Sequence, residues 1–128
     1  ADTVDVVVYG AHMTGMPLNW QLTERGASLA DTTQSAADYR LYALPDGNRP
    51  ALVHSAGSGE PIDLEVWRMP MAELGSFVAN IPPPLAIGKV NLLDGRQLTG
   101  FVCEENGLGE AHDITSFGGW RQWLSRPA

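Results

Sequence analysis

The 128-residue chain contains one cysteine, one lysine and no long apolar run. With Cys103 alone no internal disulfide can form, which fits a reducing compartment, most simply the cytoplasm. Cys103 ends the apolar run Gly100-Phe101-Val102-Cys103 and reads as a small buried hydrophobe. Lys89 is the only lysine, the arginines are scattered, and 8 basic residues face 15 acidic ones for a net charge of -7. A phosphate-tracking surface needs clustered cations, so neither nucleic acid nor an anionic membrane surface is an expected partner. No stretch approaches the ~20 apolar residues of a transmembrane helix. His12, His54 and His112 do not fall at ligand spacing with a carboxylate, so no metal is expected. A Gly-x-Ser-x-Gly elbow and a phosphate loop are also missing, and no cofactor is expected. The chain starts Ala-Asp-Thr without Met, as a domain excised from a longer polypeptide would.

What is present is ordinary globular material, 44% hydrophobic and 18% charged. It reads as one domain over residues 1–128, of a size that hides roughly two-thirds of its unfolded surface. Gly and Pro recur throughout and punctuate many short elements. Val4 to Tyr9 is a β-branched run and reads as a buried strand. A short helix is expected over Pro17 to Arg25, closed by Gly26. Strands follow at 27–33, 39–44 and 51–55, the last two forming a hairpin around Pro45-Asp46-Gly47-Asn48. Ile62 to Trp67 alternates and predicts a half-exposed strand. A helix opening at Pro70 puts Leu74, Phe77, Val78 and Ile81 on one stripe. Pro82-Pro83-Pro84 reads as a polyproline-like spacer. Strands at 87–93 and 97–103 flank Asp94-Gly95, where a two-residue turn would set the two alternations at odds. A bulge or a longer loop is therefore expected. The last helix is expected over Ser116 to Leu124, capped by Thr115 or Ser116, with Phe117, Trp120, Trp123 and Leu124 on its apolar face. All four tryptophans are expected to pack. Strands outnumber helices and tight turns join several of them. That predicts an α+β fold, a small, mostly antiparallel β-barrel with short flanking helices.

Chemistry concentrates where the first strand runs into Gly10-Ala11-His12-Met13-Thr14-Gly15. Such a junction exposes backbone N–H groups able to hold an anion, and His12 can give or take a proton near neutral pH. On the strand at 39–44, Arg40 and Tyr42 share a face and form a candidate carboxylate site. The stretch holding Glu104, Glu105, Glu110 and Asp113 reads as a solvated acidic loop.

The segment from Tyr9 to Leu22, reading Tyr-Gly-Ala-His-Met-Thr-Gly-Met-Pro-Leu-Asn-Trp-Gln-Leu, resembles the opening of the C-terminal domain of allophanate hydrolases. Asp38 to Leu44, Gly75 to Ala79 with Ile81-Pro82, Gly100 to Glu104, Asp113 to Thr115 and Phe117 to Trp120 resemble later motifs of that family, in its order. The resemblance covers nearly the whole chain. It implies a γ-glutamylcyclotransferase-like fold, in which the loop after the first strand holds substrate through backbone N–H groups. Tyr9-Gly10-Ala11-His12 matches that loop. The cyclotransferase Glu falls near Val78, a neutral residue, which speaks against cyclotransferase chemistry. Glu65 and Glu104 are the carboxylates to inspect for a substitute.

The resemblance further implies the second step of allophanate hydrolase, in the breakdown of urea and s-triazines such as cyanuric acid. An amidase domain in the same polypeptide, carrying a Ser-Ser-Lys triad this chain lacks, delivers N-carboxycarbamate. This domain would then convert that dianion toward ammonia and CO2 with His12 as the catalytic residue. Tyr9, Gly10, Ala11, Met13, Asn19 and Arg40 are the substrate-binding candidates, and a homodimer is a further expected association. The alternative is a non-catalytic module that assembles or stabilises the amidase, using the tryptophans and the Leu74–Ile81 stripe as contact surface.

Overall fold

The computed structural model describes residues 2–127. Its strands are β1 (Thr3–Val8), β2 (Ser28–Gln34), β3 (Tyr39–Ala43), β4 (Pro50–His54), β5 (Asp63–Pro70), β6 (Leu85–Asn91), β7 (Gln97–Cys103) and β8 (His112–Asp113). Three short helices flank them: α1 (Trp20–Glu24), α2 (Leu74–Ala79) and α3 (Trp120–Leu124). The fold is α+β and mostly antiparallel, as the succession of short strands and tight turns predicts. The strands divide into a five-stranded sheet, ordered β2-β5-β1-β7-β6, and a three-stranded sheet, ordered β4-β3-β8. They do not close into a barrel. The edges β2 and β6 meet at their last residues and just past them, where Ser35 pairs with Leu92, Ala36 N–H donates to Asn91 C=O, and Leu93 N–H donates to Gln34 C=O.

β1 is buried at Val6, Val7 and Val8 because it lies inside the larger sheet. It runs antiparallel to β5 and parallel to β7. β5 departs from the half-exposed strand its alternation predicts. It sits between β2 and β1, and Leu64, Glu65, Val66 and Trp67 are all buried. The β6–β7 hairpin pairs Asn91 with Gln97 and Val90 with Leu98, so the connection is longer than Asp94-Gly95 alone. The expected conflict of alternations is resolved by loop length.

Helix α2 follows a single 3-10 turn and buries Phe77, with Leu74 and Ile81 packed against the same core. That stripe is spent on the chain's own interior. The expected last helix is split in two: Thr115–Phe117 is a 3-10 turn, Gly118 turns at φ 81°, and α3 starts afresh at Trp120. Thr115 caps nothing, because its hydroxyl bonds Asp113 Oδ1 and accepts from Leu41 N–H. Trp120 is buried, but Phe117 and Leu124 are exposed. Trp67 is buried as well, whereas Trp20 is 54% exposed, contrary to the expectation that every tryptophan packs. Pro82-Pro83-Pro84 turns instead of extending, with Leu85 N–H donating to Pro82 C=O. Cys103 is buried in a satellite cluster with Leu44, Ala51, Val53 and Leu108. No helix among the described residues is long and apolar enough to cross a membrane.

Candidate active site

β1 delivers the chain into the loop at 10–16, and the loop forms one wall of a cleft of about 210 Å³. Tyr9, Gly10, Ala11 and His12 line that wall; Gln21, Arg49, Phe77 and Phe101 are among the residues facing it. Gly10 is required here. A Cβ on it would lie 2.4 Å from Pro50 Cγ, so only glycine lets the loop and β4 meet. Met13 N–H donates to Gly10 C=O and closes a tight turn around Ala11 and His12. Among the described residues, the N–H groups of Gly10, Ala11 and His12 have no protein acceptor. Three successive free amides on one turn are donors available to an anion.

The His12 ring stacks on Phe101 at 5.2 Å between centroids and meets Phe77 edge-on at 5.1 Å. Its Nε2 lies 2.8 Å from Gln21 Oε1, which can only accept. The proton is thereby placed on Nε2, and Nδ1 is left as the basic nitrogen. Among the described residues Nδ1 has no protein partner, and it is not sealed from solvent, so it is the nitrogen available to a ligand. Burial holds the imidazole below its ordinary pKa; the Gln21 bond opposes this and the Arg25 charge adds to it. The ring is therefore neutral at neutral pH.

Among the described residues, Arg49 is the one cation of the cleft lining. Its Nε donates to Asp46 Oδ2 at 2.8 Å and its Nη1 to Pro83 C=O at 3.1 Å. Among the described residues, Nη2 donates to no protein acceptor. Sequence reasoning missed this residue. Arg49 precedes Pro50, and only the contact of Pro50 with Gly10 carries it to the loop.

The other candidates separate. Arg40 does not reach the cleft: it bridges Asp113 at 2.8 Å, pairing β3 with β8 in the smaller sheet. Met13 is buried beneath the loop and Asn19 donates from Nδ2 to His12 C=O at 2.8 Å, so neither lines the cleft. Asn19 instead orients the loop. The Tyr9 hydroxyl accepts from Leu52 N–H at 3.2 Å, and burial pushes the phenol far up, outweighing that bond. Tyr9 is thus a neutral tie between the loop and β4. Glu104 is exposed, whereas Glu65 is buried against Thr14 on the same loop but outside the cleft.

A family model described as the allophanate hydrolase C-terminal domain matches residues 4–125. The chain is 38% identical to the urea amidolyase of Saccharomyces cerevisiae, over 95% of this chain and 7% of that protein. The chain thus spans a small fraction of the curated relatives it matches. Kluyveromyces lactis allophanate hydrolase is similar in structure, with a TM-score of 0.91 at 38% identity over 96% of this chain and 21% of that one. The uropathogenic E. coli-specific protein c4763 matches with a TM-score of 0.92 at 28% identity, over the whole of both chains. A gamma-glutamyl cyclotransferase shares the fold alone, at 18% identity and a TM-score of 0.51 over 80% of this chain and 67% of that one.

Proposed function

This chain belongs to the allophanate hydrolase C-terminal domain family, and from that premise we propose that its cleft converts N-carboxycarbamate toward ammonia and CO2. The observation that carries this reading is His12, with Nδ1 unpartnered, beside three free backbone N–H groups in one cleft. N-carboxycarbamate holds two carboxylates on one nitrogen. Cleavage of one C–N bond leaves its electron pair on nitrogen, which takes one proton as CO2 departs; the products are CO2 and carbamate. A second protonation and cleavage give ammonia and a second CO2. Each step is easier when nitrogen is protonated as the bond breaks, and a positioned acid contributes roughly 10²–10⁴-fold.

The residues divide this work. The N–H groups of Gly10, Ala11 and His12 hold one carboxylate, and the free Nη2 of Arg49 holds the other. Phe77, Phe101, Leu18 and Ile81 line the rest of the cleft and keep water away from the reacting nitrogen and its C–N bonds. His12 on its own is neutral at neutral pH, so it must acquire a proton before acting as an acid. The dianion itself supplies the reason, because a negative charge beside the ring favours imidazolium. The net charge of -7 repels such a substrate at a distance, so recognition depends on this local donor array. An amidase domain on the same polypeptide is the proposed source of the substrate.

The test follows the loss of N-carboxycarbamate, generated in place by a separate amidase, with wild type and His12→Ala. Faster loss with wild type than with the variant is expected, and equal rates overturn the reading.

A further inference from the structure

Glu65 stands in the middle of the larger sheet with 4% of its surface exposed. A buried carboxylate is costly unless its oxygens are filled. Its Oε1 accepts from Thr14 N–H at 2.8 Å, Thr14 Oγ1 at 3.1 Å and Trp67 Nε1 at 3.0 Å. Its Oε2 accepts from Arg121 Nη2 at 3.2 Å. Arg121, on α3, also donates from Nη2 to Thr14 C=O, and its Nη1 approaches Met13 Sδ at 3.6 Å. Glu65 thus holds the N–H of Thr14 while Arg121 holds its carbonyl. Rotation of the backbone at Thr14 breaks both contacts. Thr14 is two residues from His12, whose own carbonyl is held by Asn19. Gly15, at φ 80°, follows directly and offers no stiffness of its own. Neither Glu65 nor Arg121 lines the cleft.

We propose that Glu65 and Arg121 are positioning residues: a charged clamp, half of it on α3, that fixes the His12 loop and so aligns the imidazole and the free N–H groups with a bound dicarboxylate. An apolar pair of similar volume would fill this space at less electrostatic cost. The charged pair supplies what an apolar pair cannot, hydrogen bonds to both polar atoms of one loop residue. Burial would raise the Glu65 carboxyl, but the bonds from Thr14, Trp67 and Arg121 outweigh it and hold the group below its ordinary range. Glu65 is therefore ionised at neutral pH, and its contacts to Thr14 are a fixed feature of the loop. The clamp's catalytic consequence rests on the function proposed above, whereas its effect on the loop does not.

The experiment compares wild type, Arg121→Met, Arg121→Lys and Glu65→Gln, with Arg68→Met as an exposed ion-pair control at the Asp5 contact. Three quantities are read: the His12 ring titration by NMR, the Kd for malonate, and kcat and KM for N-carboxycarbamate. Arg121→Met is expected to stay folded by circular dichroism, shift the His12 titration, weaken malonate and lower kcat on the order of 10²-fold, the scale of a misplaced catalytic group. KM is expected to change less. Arg121→Lys should recover only part of this, because one ammonium cannot match the guanidinium fork. Arg121 is 42% exposed at its side chain, so its variants keep the test open if Glu65→Gln does not fold. A His12 titration and malonate Kd in Arg121→Met that superimpose on wild type overturn the clamp. Absence of turnover in wild type would instead defeat the catalytic reading, with titration and malonate binding still deciding the clamp.

Discussion

Gly10 packs against Pro50 so closely that a Cβ on Gly10 would lie 2.4 Å from Cγ and 2.6 Å from Cδ of the proline ring. This contact joins the His12 loop to β4 and brings Arg49 to the cleft mouth. Gly10→Ala should force the two apart. Overpacking of this kind costs about 1–3 kcal/mol, which for a domain of this size lowers Tm by roughly 2–10 °C. Malonate affinity should fall with it, because the loop amides and Arg49 lose their relative placement. Thermal melts and malonate titration check both effects. A variant melting and binding like wild type would show that the proline ring yields.

Arg49, not Arg40, should supply the charge that holds a dicarboxylate. A hydrogen bond to a charged group contributes about 1.5–3 kcal/mol, so Arg49→Met should weaken malonate roughly 10–150-fold. Arg40 is engaged with Asp113 in the smaller sheet, and Arg40→Met should leave the affinity near wild type. Calorimetric titration of both variants discriminates between the two arginines.

These two arginines also show where the sequence was legible and where it was not. The Val4–Tyr9 run and the glycines around His12 suffice to place a strand and a loop, because β-branching and turn chemistry act locally. Alternation correctly puts Arg40 and Tyr42 on one strand face. It does not say which sheet that face belongs to, and β8 arrives from more than sixty residues downstream to pair with β3. Arg49 lies in an unremarkable turn, and its role depends on a contact between Gly10 and Pro50 that no spacing encodes. The alternation around Glu65 misleads for a related reason. A carboxylate usually marks a solvated face, but here Thr14, Trp67 and Arg121 fill its oxygens inside the core.

Dicarboxylate binding should take up protons at neutral pH. Burial lowers the free His12 pKa first of all, with the Gln21 bond opposing and Arg25 reinforcing the shift. A dianion in the cleft raises the pKa again. The complex therefore binds more protons than the free protein, and malonate affinity should rise as pH falls from about 8 toward the depressed pKa of the free ring, below ~6.5. Titrations at pH 7 in buffers of different ionisation enthalpy should report net uptake that is absent in His12→Asn. Equal heats in all buffers for wild type would place the proton elsewhere.

Stability in acid should depend on Glu65. Its folded pKa lies below the ordinary carboxylate value: burial pushes it up, but the bonds from Thr14, Trp67 and Arg121 prevail. A depressed pKa means that the unfolded chain takes up the proton first as pH falls. The stabilisation is therefore complete above the unfolded value near ~4.3 and is lost as pH drops through the folded one. Glu65→Gln removes the charge and leaves at least one buried donor poorly matched, for a cost of about 1–3 kcal/mol at pH 7. That cost should shrink as pH falls below the unfolded value near ~4.3, because the unfolded wild-type chain then takes up the proton and the charge stabilises the fold less. Asp46, Asp94 and Asp113 are also depressed and set a common acid slope in both proteins, so the difference between the two denaturation curves isolates Glu65. Urea unfolding at pH 7, 5 and 3 measures it, and a gap that stays constant across the three would mean that the Glu65 charge adds nothing beyond its shape.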